Sequence, residues 1–262
     1  MNASTKSIVL FLLAALTAAP AFSDAGFAKV QECMRANVPA ALRVQKFALE
    51  ATDRQGESRV LTGKLYAKRD SGLLRVMMKL DGPAPFTGAS YLVRETPSGQ
   101  QDEMYVFLPA VGRVRHITGA FANGPLLGTD FSYAEAKLLQ NAYTGADGKL
   151  EGEMDFNGRP VYKLSIRPGA SRSAPYNRIQ ALVDKKTCVA LKADFYEGSK
   201  LGKQLLVPAE SLTQSGEQWF PAQVEMSDVS SGTKTTLKAG PFVVEKDLSK
   251  LLFDPRTFNL AR

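Results

Sequence analysis

From residue 42 onward the chain is dominated by an apolar–polar alternation of period two. Phe47, Leu49 and Ala51 alternate with Lys46, Glu50 and Thr52, and Leu61 and Leu65 with Thr62 and Lys64. Across residues 72–80, Leu74, Val76, Met78 and Leu80 fall on one face and Arg75, Met77 and Lys79 on the other. The pattern resumes beyond the middle with Tyr162, Leu164 and Ile166, then Val189, Leu191, Ala193 and Phe195, then Phe220, Ala222, Val224 and Met226. A strand turns successive side chains to opposite faces, so each run reads as a strand with one buried face. Clusters of Gly, Pro, Asp and Asn separate the runs, and Asp70-Ser71-Gly72 and Pro97-Ser98-Gly99 supply turns. About eleven or twelve such runs, spaced about 8–14 residues apart, predict one continuous antiparallel sheet, curved or closed into a barrel, rather than two domains.

Three stretches break this period. Phe27, Val30, Cys33, Met34 and Val38 recur every three or four residues, a helical stripe over 27–37 that Asn37 and Pro39 end. Residues 118–129 (TGAFANGPLLGT) are Gly-rich and mobile in character, yet carry Phe121, Leu126 and Leu127. They run into Ser132-Tyr133-Ala134-Glu135, a capping box that opens a helix over 133–141. Leu248, Leu251 and Leu252 make a short amphipathic helix at 246–253, before Pro255. Three short helices over one face of so long a sheet leave apolar surface uncovered. Either the sheet closes on itself or it encloses a hydrophobic cavity. The side chains predicted to face that cavity are Phe47, Leu49, Leu61 and Leu65, then Leu74, Val76, Met78 and Leu80. Met104, Val106 and Leu108 follow, with Leu164, Phe195, Val224 and Met226 from the second half. Met77, Met78, Met104, Met154 and Met226 stand in strand-like segments, and flexible methionines suit a container for variable apolar ligands as well as they suit a core.

The N-terminus sets the compartment. Lys6 precedes an apolar run from Ile8 to Ala19, and Ala21-Phe22-Ser23 offers a small-residue cleavage site before Asp24. Residues 1–23 therefore read as a secretory signal peptide, and 24–262 as a single soluble periplasmic domain. The first cysteine is Cys33, so no lipid anchor is expected at the cut. Hydrophobic residues make up 44% of the chain and charged ones 23%, ordinary for a globular core. The net charge of +7 becomes +6 once Lys6 is removed, which suits a phospholipid surface or simply keeps the protein soluble. Nucleic acid is not expected outside the cytoplasm, and the basic residues are dispersed. Cys33 and Cys188 are the two cysteines, and in an oxidising compartment a pair predicts a disulfide over a metal site. A loop of 155 residues would give such a bridge about 4–5 kcal/mol in the chain-entropy model. The alternative is two buried thiols that never meet.

Catalytic machinery is not evident. His116 is the single histidine, flanked by Arg113 and Arg115, and no G-x-S-x-G elbow, H-E-x-x-H pair or phosphate-binding loop occurs. The chain reads as a binding protein rather than an enzyme, with no metal and no cofactor.

Two motifs carry a resemblance: residues 108–115 (LPAVGRVR), followed by Leu127-Gly128-Thr129-Asp130-Phe131-Ser132-Tyr133. Trp219-Phe220-Pro221, Val224-Glu225-Met226, Lys234-Thr235-Thr236-Leu237 and the segment 192–203 with Phe195-Tyr196-Glu197 and Gly202 agree with them. Together they resemble the outer-membrane lipoprotein-sorting (LolA-like) family, in its branch typified by an uncharacterised treponemal protein, from about residue 40 to the C-terminus. Leu126 and Leu127 stand where that family usually has an aromatic, Leu182 where it has tryptophan, and Glu135 alone remains of its acidic residues after the tyrosine. The resemblance implies an α+β, mainly β fold: an incomplete antiparallel β-barrel of about eleven strands closed by short helices, holding an acyl chain. It implies a monomeric periplasmic carrier that passes a lipid or lipoprotein acyl chain between envelope components, beside an inner-membrane lipid exporter. Release would need a gate, read here as residues 118–129 with Phe121, Leu126 and Leu127. Arg113 and Arg115 would meet a phosphate head group, or protect an edge strand. The competing reading is a lipid-sensing or structural envelope module of the same fold that docks on a membrane protein without transferring cargo.

Overall fold

A computed structural model describes residues 24–97, 102–140, 142–168, 176–244 and 249–260; the leader read at 1–23 lies outside them. Helix α1 (Ala25–Ala36) begins at Asp24, whose carboxylate accepts from the Gly26 N–H at 2.8 Å, and ends at Asn37. Six strands then run back and forth, each paired with the next: β1 (Arg43–Thr52), β2 (Ser58–Asp70), β3 (Leu73–Gly82), β4 (Ser90–Arg94), β5 (Glu103–Leu108) and β6 (Arg113–His116). Residues 117–146 contain α2 (Tyr133–Gln140). A second meander follows in β7 (Asp147–Phe156), β8 (Arg159–Arg167), β9 (Arg178–Asp184), β10 (Ala190–Glu197) and β11 (Lys200–Leu206). The hairpin β12 (Leu212–Ser215) and β13 (Gln218–Pro221) stands apart, and β14 (Gln223–Asp228), β15 (Thr233–Val244) and α3 (Ser249–Leu252) complete the chain.

Thirteen strands share one sheet in the order β6-β5-β4-β3-β2-β1-β15-β14-β11-β10-β9-β8-β7. The β1–β15 pairing splices the two meanders, with one extra residue on β15 opposite Gln45–Phe47, where Gly240 and Pro241 stand. Local turn chemistry folds the hairpins. Ser71-Gly72 and Asn157-Gly158 are left-handed at both positions (φ 51° and 81°, 53° and 77°), the geometry that matches strand twist in a two-residue turn.

The expected incomplete barrel of about eleven strands is corrected in its strand count. Among the described residues the sheet has thirteen strands, and its opposite edges, β6 and β7, are not paired with each other. These edges are consecutive in sequence, and residues 117–146 bridge them across the inner face. Ile117, Leu126, Leu127, Phe131, Tyr133, Ala136, Leu138 and Tyr143 are buried there in the same cluster as the inward side chains of the strands. A crossover, rather than barrel closure, covers this face. The alternation at Phe220–Met226 is likewise split between two sheets: β13 pairs with β12, and the chain joins the main sheet only from Gln223. Pro221 has no N–H for a ladder, which favours the break there.

Helix α1 lies against β7, where Phe27 is fully buried over Gly148; a Cβ on that glycine would sit 2.2 Å from the ring. The C-terminal segment does something different from the expectation that all helices share one face. Leu252, Phe253 and Phe258 pack on the outer face against Leu42, Val44, Tyr66, Met77 and Leu92. Met77, which alternation places on the polar side, is fully buried there. This second core predicts that Phe258→Ala lowers stability by about 3–4 kcal/mol, whereas Leu260→Ala, at a residue 68% exposed, shifts it by less than about 0.5 kcal/mol. Urea unfolding of the two variants checks this; equal effects would contradict the outer core.

Candidate functional site

Beneath the crossover the inner face is not completely filled. A cavity of about 300 Å³ lies between sheet, crossover and the end of α1. Leu49, Leu65, Ala67, Leu74, Val76 and Met78 from β1–β3 form one wall. Leu205, Val224, Leu237, Ala239 and Phe242 from β11, β14 and β15 form another. Leu126, Phe131, Ala136, Leu139, Gln140, Ala142 and Tyr143 roof it, and Met34, Asn37, Val38 and Pro39 meet Cys188–Ala190 and Trp219–Pro221 at one end. Among the described residues, none of the lining side chains is an acid, lysine or arginine. Such a space can hold an uncharged, apolar group and little else, since an unpaired charge would lose its hydration there.

Polar contacts hold the roof in place. Glu135 is 1% exposed. Its carboxylate accepts from the Ser132 N–H (2.7 Å), the Tyr176 hydroxyl (2.5 Å) and the Lys203 ammonium (3.1 Å), while Ser132 Oγ accepts from the Glu135 N–H (3.1 Å). The capping box is thus extended by two side chains from the second meander. Burial first, and then the neighbouring Glu135 carboxylate, push the Tyr176 hydroxyl far up, so it stays a donor. Lys203 also donates to the Asp130 carbonyl (2.7 Å), and the Asp130 carboxylate accepts from Thr233 and Thr235 of β15. From the first meander, the Tyr91 hydroxyl donates to the Tyr133 carbonyl at 2.9 Å.

The other cover is α1. Arg35 donates to both Glu95 carboxylate oxygens (2.8 and 3.0 Å) beyond β4 and to the Gly72 carbonyl (2.9 Å). Cys33 is disulfide-bonded to Cys188, with Cα atoms 5.7 Å apart, in the turn between β9 and β10. Asn37 donates to the Thr187 carbonyl (2.9 Å) and accepts from the Trp219 N–H (2.8 Å). The turn that presents Cys188 is itself built on Asp184, whose carboxylate accepts from Thr187 N–H and Oγ1 (both 2.8 Å) and from Arg159 Nε (2.7 Å). Burial alone would raise the Asp184 pKa, but the Arg159 and Thr187 bonds outweigh it and hold the carboxyl below its usual range.

Of the side chains read as facing the cavity, Leu49, Leu65, Leu74, Val76, Met78 and Val224 line it. Phe47, Leu61, Leu80, Met104, Val106, Leu164, Phe195 and Met226 are buried in the same core and Leu108 packs against it, but they fill the sheet beyond the cavity. The methionine reading is narrowed too, because Met154 is 46% exposed and Met34 lines the space instead. The stretch read as a mobile gate is pinned along its second half. Leu126 and Leu127 are 3% and 4% exposed, Leu126 in the roof and Leu127 behind it, whereas Phe121 is 46% exposed and stacks on Tyr133. Arg113, Arg115 and His116 lie exposed on the edge strand β6, away from the lining, with His116 stacked on Tyr105. Sequence reasoning missed Gln45, Gln140, Tyr143 and the end of α1; Trp219-Phe220-Pro221 was the signal at hand, already notable as a motif.

The roof predicts that Glu135→Ala, which strands the Tyr176 hydroxyl and the Lys203 ammonium, costs about 3–5 kcal/mol and speeds hydrogen exchange across 126–140. Glu135→Leu combined with Lys203→Met should recover much of that loss, since it removes both charges. A loss below about 1 kcal/mol for Glu135→Ala would contradict the roof contacts.

Comparison with known proteins agrees with the geometry. A family model described as "-like: Uncharacterized protein" matches residues 73–259, most of the chain. No curated protein matches the sequence. Among solved structures, a DUF1329 family protein from Desulfovibrio piger superposes with a TM-score of 0.79 at 23% identity, covering 88% of this chain and 97% of that one. A domain assigned to outer membrane lipoprotein sorting from Vibrio parahaemolyticus gives 0.78 at 20% identity, covering 89% and 97%. A LolA superfamily protein from Nitrosomonas europaea gives 0.66 at 16% identity, covering 87% and 96%. At these identities the likeness is one of fold.

Proposed function

The chain belongs to the uncharacterized-protein-like family matched over residues 73–259, and from that premise we propose that it is a soluble periplasmic carrier for a lipid or lipoprotein acyl chain. One observation carries the reading. A fold shared with LolA-superfamily and lipoprotein-sorting structures retains, beneath its crossover, an apolar cavity of about 300 Å³ without a charged lining residue. That volume is at the small end of ligand sites and fits one alkyl chain better than several. Burial of about ten methylenes at about 0.8 kcal/mol each is worth on the order of 8 kcal/mol before ordering costs, which makes micromolar affinity an upper limit and favours handover over permanent retention. Among the described residues no helix is long and apolar enough to cross a membrane.

Loading and unloading require the cover to move. The two covers differ in how they are fixed: α1 is tied covalently through Cys33, and the crossover by hydrogen bonds and ion pairs around Glu135 and Asp130. The crossover is therefore the moving part, with release at a partner such as an inner-membrane lipid exporter or the target membrane. A mature net charge of +6, counted without Lys6, favours approach to anionic head groups.

Uptake of the neutral fluorophore N-phenyl-1-naphthylamine, and its displacement by acyl chains, tests the reading. Leu65→Trp fills the cavity and should weaken uptake at least about tenfold with an unchanged circular dichroism spectrum. Met78→Lys should abolish it, and Arg113→Ala with Arg115→Ala should leave it as it is. Unchanged uptake in a folded Leu65→Trp variant would overturn the cavity as the binding site. Binding without any transfer of chain between vesicles would favour the sensing module.

A further inference from the structure

We propose that the outer face of β1–β3 docks on a bilayer surface of anionic phospholipid. Lys46, Lys64 and Lys79 meet the head-group phosphates, and exposed apolar side chains beside them enter the interface. The proposal deepens the carrier reading, which it rests on, by naming where the protein touches a membrane; it draws nothing from the cavity.

Strand register gathers cations that lie far apart in sequence. Lys46 stands directly opposite Lys64, and Lys64 directly opposite Lys79. Lys46 precedes Phe47, Lys64 precedes Leu65, and Lys79 lies between Met78 and Leu80, all of which pack in the inner core. The three lysines therefore share the outer face. Lys46 is exposed, and Lys64 and Lys79 are half-buried. Directly opposed side chains of an antiparallel pair lie about 5 Å apart at Cβ, and like charges at that spacing destabilise a sheet. No acid pairs with Lys46 or Lys64 among the described residues; Glu50, farther along β1, is 3.9 Å from Lys238 instead.

A second basic row on the same face shows the contrast. Lys68, Arg75 and Arg94 are aligned in the same way across β2–β4, yet this row is built into the fold. Arg94 pairs with Glu103 at 3.2 Å, and Arg75 donates to the Leu74 and Glu95 carbonyls at 3.0 and 2.5 Å. Between the two rows run Val44, Tyr66, Met77 and Leu92, under the C-terminal cover of Leu252, Phe253 and Phe258.

That cover leaves apolar side chains in water next to the lysines. Leu260 is 68% exposed and follows Asn259, whose carbonyl accepts from Lys79 Nζ at 3.4 Å. Leu251 in α3 is 51% exposed, and Val243, opposite Val44 on β15, is 57% exposed. A soluble anion would answer the lysines alone. A lipid–water boundary answers both features, since phosphates neutralise the cations and the acyl boundary takes up the apolar side chains.

Co-sedimentation with vesicles of phosphatidylcholine, with and without phosphatidylglycerol, tests the proposal. The wild-type protein should bind the vesicles that contain phosphatidylglycerol, less so as salt rises, and should leave pure phosphatidylcholine alone. Lys46→Gln with Lys64→Gln should weaken this binding about tenfold to thirtyfold. Arg113→Gln with Arg115→Gln, the same change in net charge placed on the edge strand β6, should weaken it about twofold at most. Leu260→Ser should weaken it about threefold to tenfold. Because the lysine variant separates two opposed like charges, its melting temperature should hold or rise. Equal losses in the lysine and arginine variants would show that net charge alone is at work and would overturn the proposal. So would a wild type indifferent to phosphatidylglycerol, binding unaffected by Leu260→Ser, or a fall in melting temperature in the lysine variant. Uptake of N-phenyl-1-naphthylamine should be the same in every variant. Loss of vesicle binding with uptake intact would therefore overturn the docking face alone, and a wild type that takes up no fluorophore would overturn the carrier reading instead.

Discussion

A buried carboxylate, that of Glu135, ties the roof of the cavity to the second half of the sheet. The sheet cannot cover its own inner face, because its edges β6 and β7 are left unpaired with each other. The segment joining them lies across that face, held by its buried apolar side chains and by polar ties of which Glu135, meeting Ser132, Tyr176 and Lys203, is the most connected. An ion pair so deeply placed is expensive to desolvate and adds little net stability. It does fix where the roof sits. With the roof held at that height, Leu126, Phe131 and Ala136 face Leu65, Val76 and Met78 across a space that neither side fills.

The second cover works by different physics. Helix α1 contributes few apolar contacts beyond Phe27 and Val30, and its C-terminal end is secured by Cys33, Arg35 and Asn37 to both halves of the sheet. A covalent strap holds one side and a polar latch the middle, and the proposed carrier role assigns the opening to the latch. That asymmetry suits a container which must hold an apolar chain in water and yet give it up, since hydrophobic burial is strong, non-directional and reversible only when the lid can open.

Local chemistry was the most legible part of the fold in the amino-acid sequence. The Ser132–Glu135 capping box and the Ser71-Gly72 turn depend on neighbours within a few residues, and alternation marks the inward face of β1, β3, β8 and β10 directly. Alternation says which face a side chain takes, not how deep it lies. Leu61, Leu80 and Met226 therefore read the same as Leu65 and Val224, although only the latter pair reach the cavity. Met77 misled because its cover, Leu252 to Phe258, is supplied from the far end of the chain. Strand β7 carries a weak signal because its alternation is mostly polar, with Gly152 and a register shift in its middle. Tyr143 and Gln140 carried no pattern at all; a left-handed pair after a helix end shows only in three dimensions.

The central claim is that the cavity is occupied by an acyl chain in the cell. Native mass spectrometry of the protein isolated from its own cell envelope, followed by analysis of the organic extract, tests it most directly. The account predicts a one-to-one adduct that releases a single acyl lipid on extraction. Protein at its bare mass, which also takes up no added acyl lipid, would contradict it.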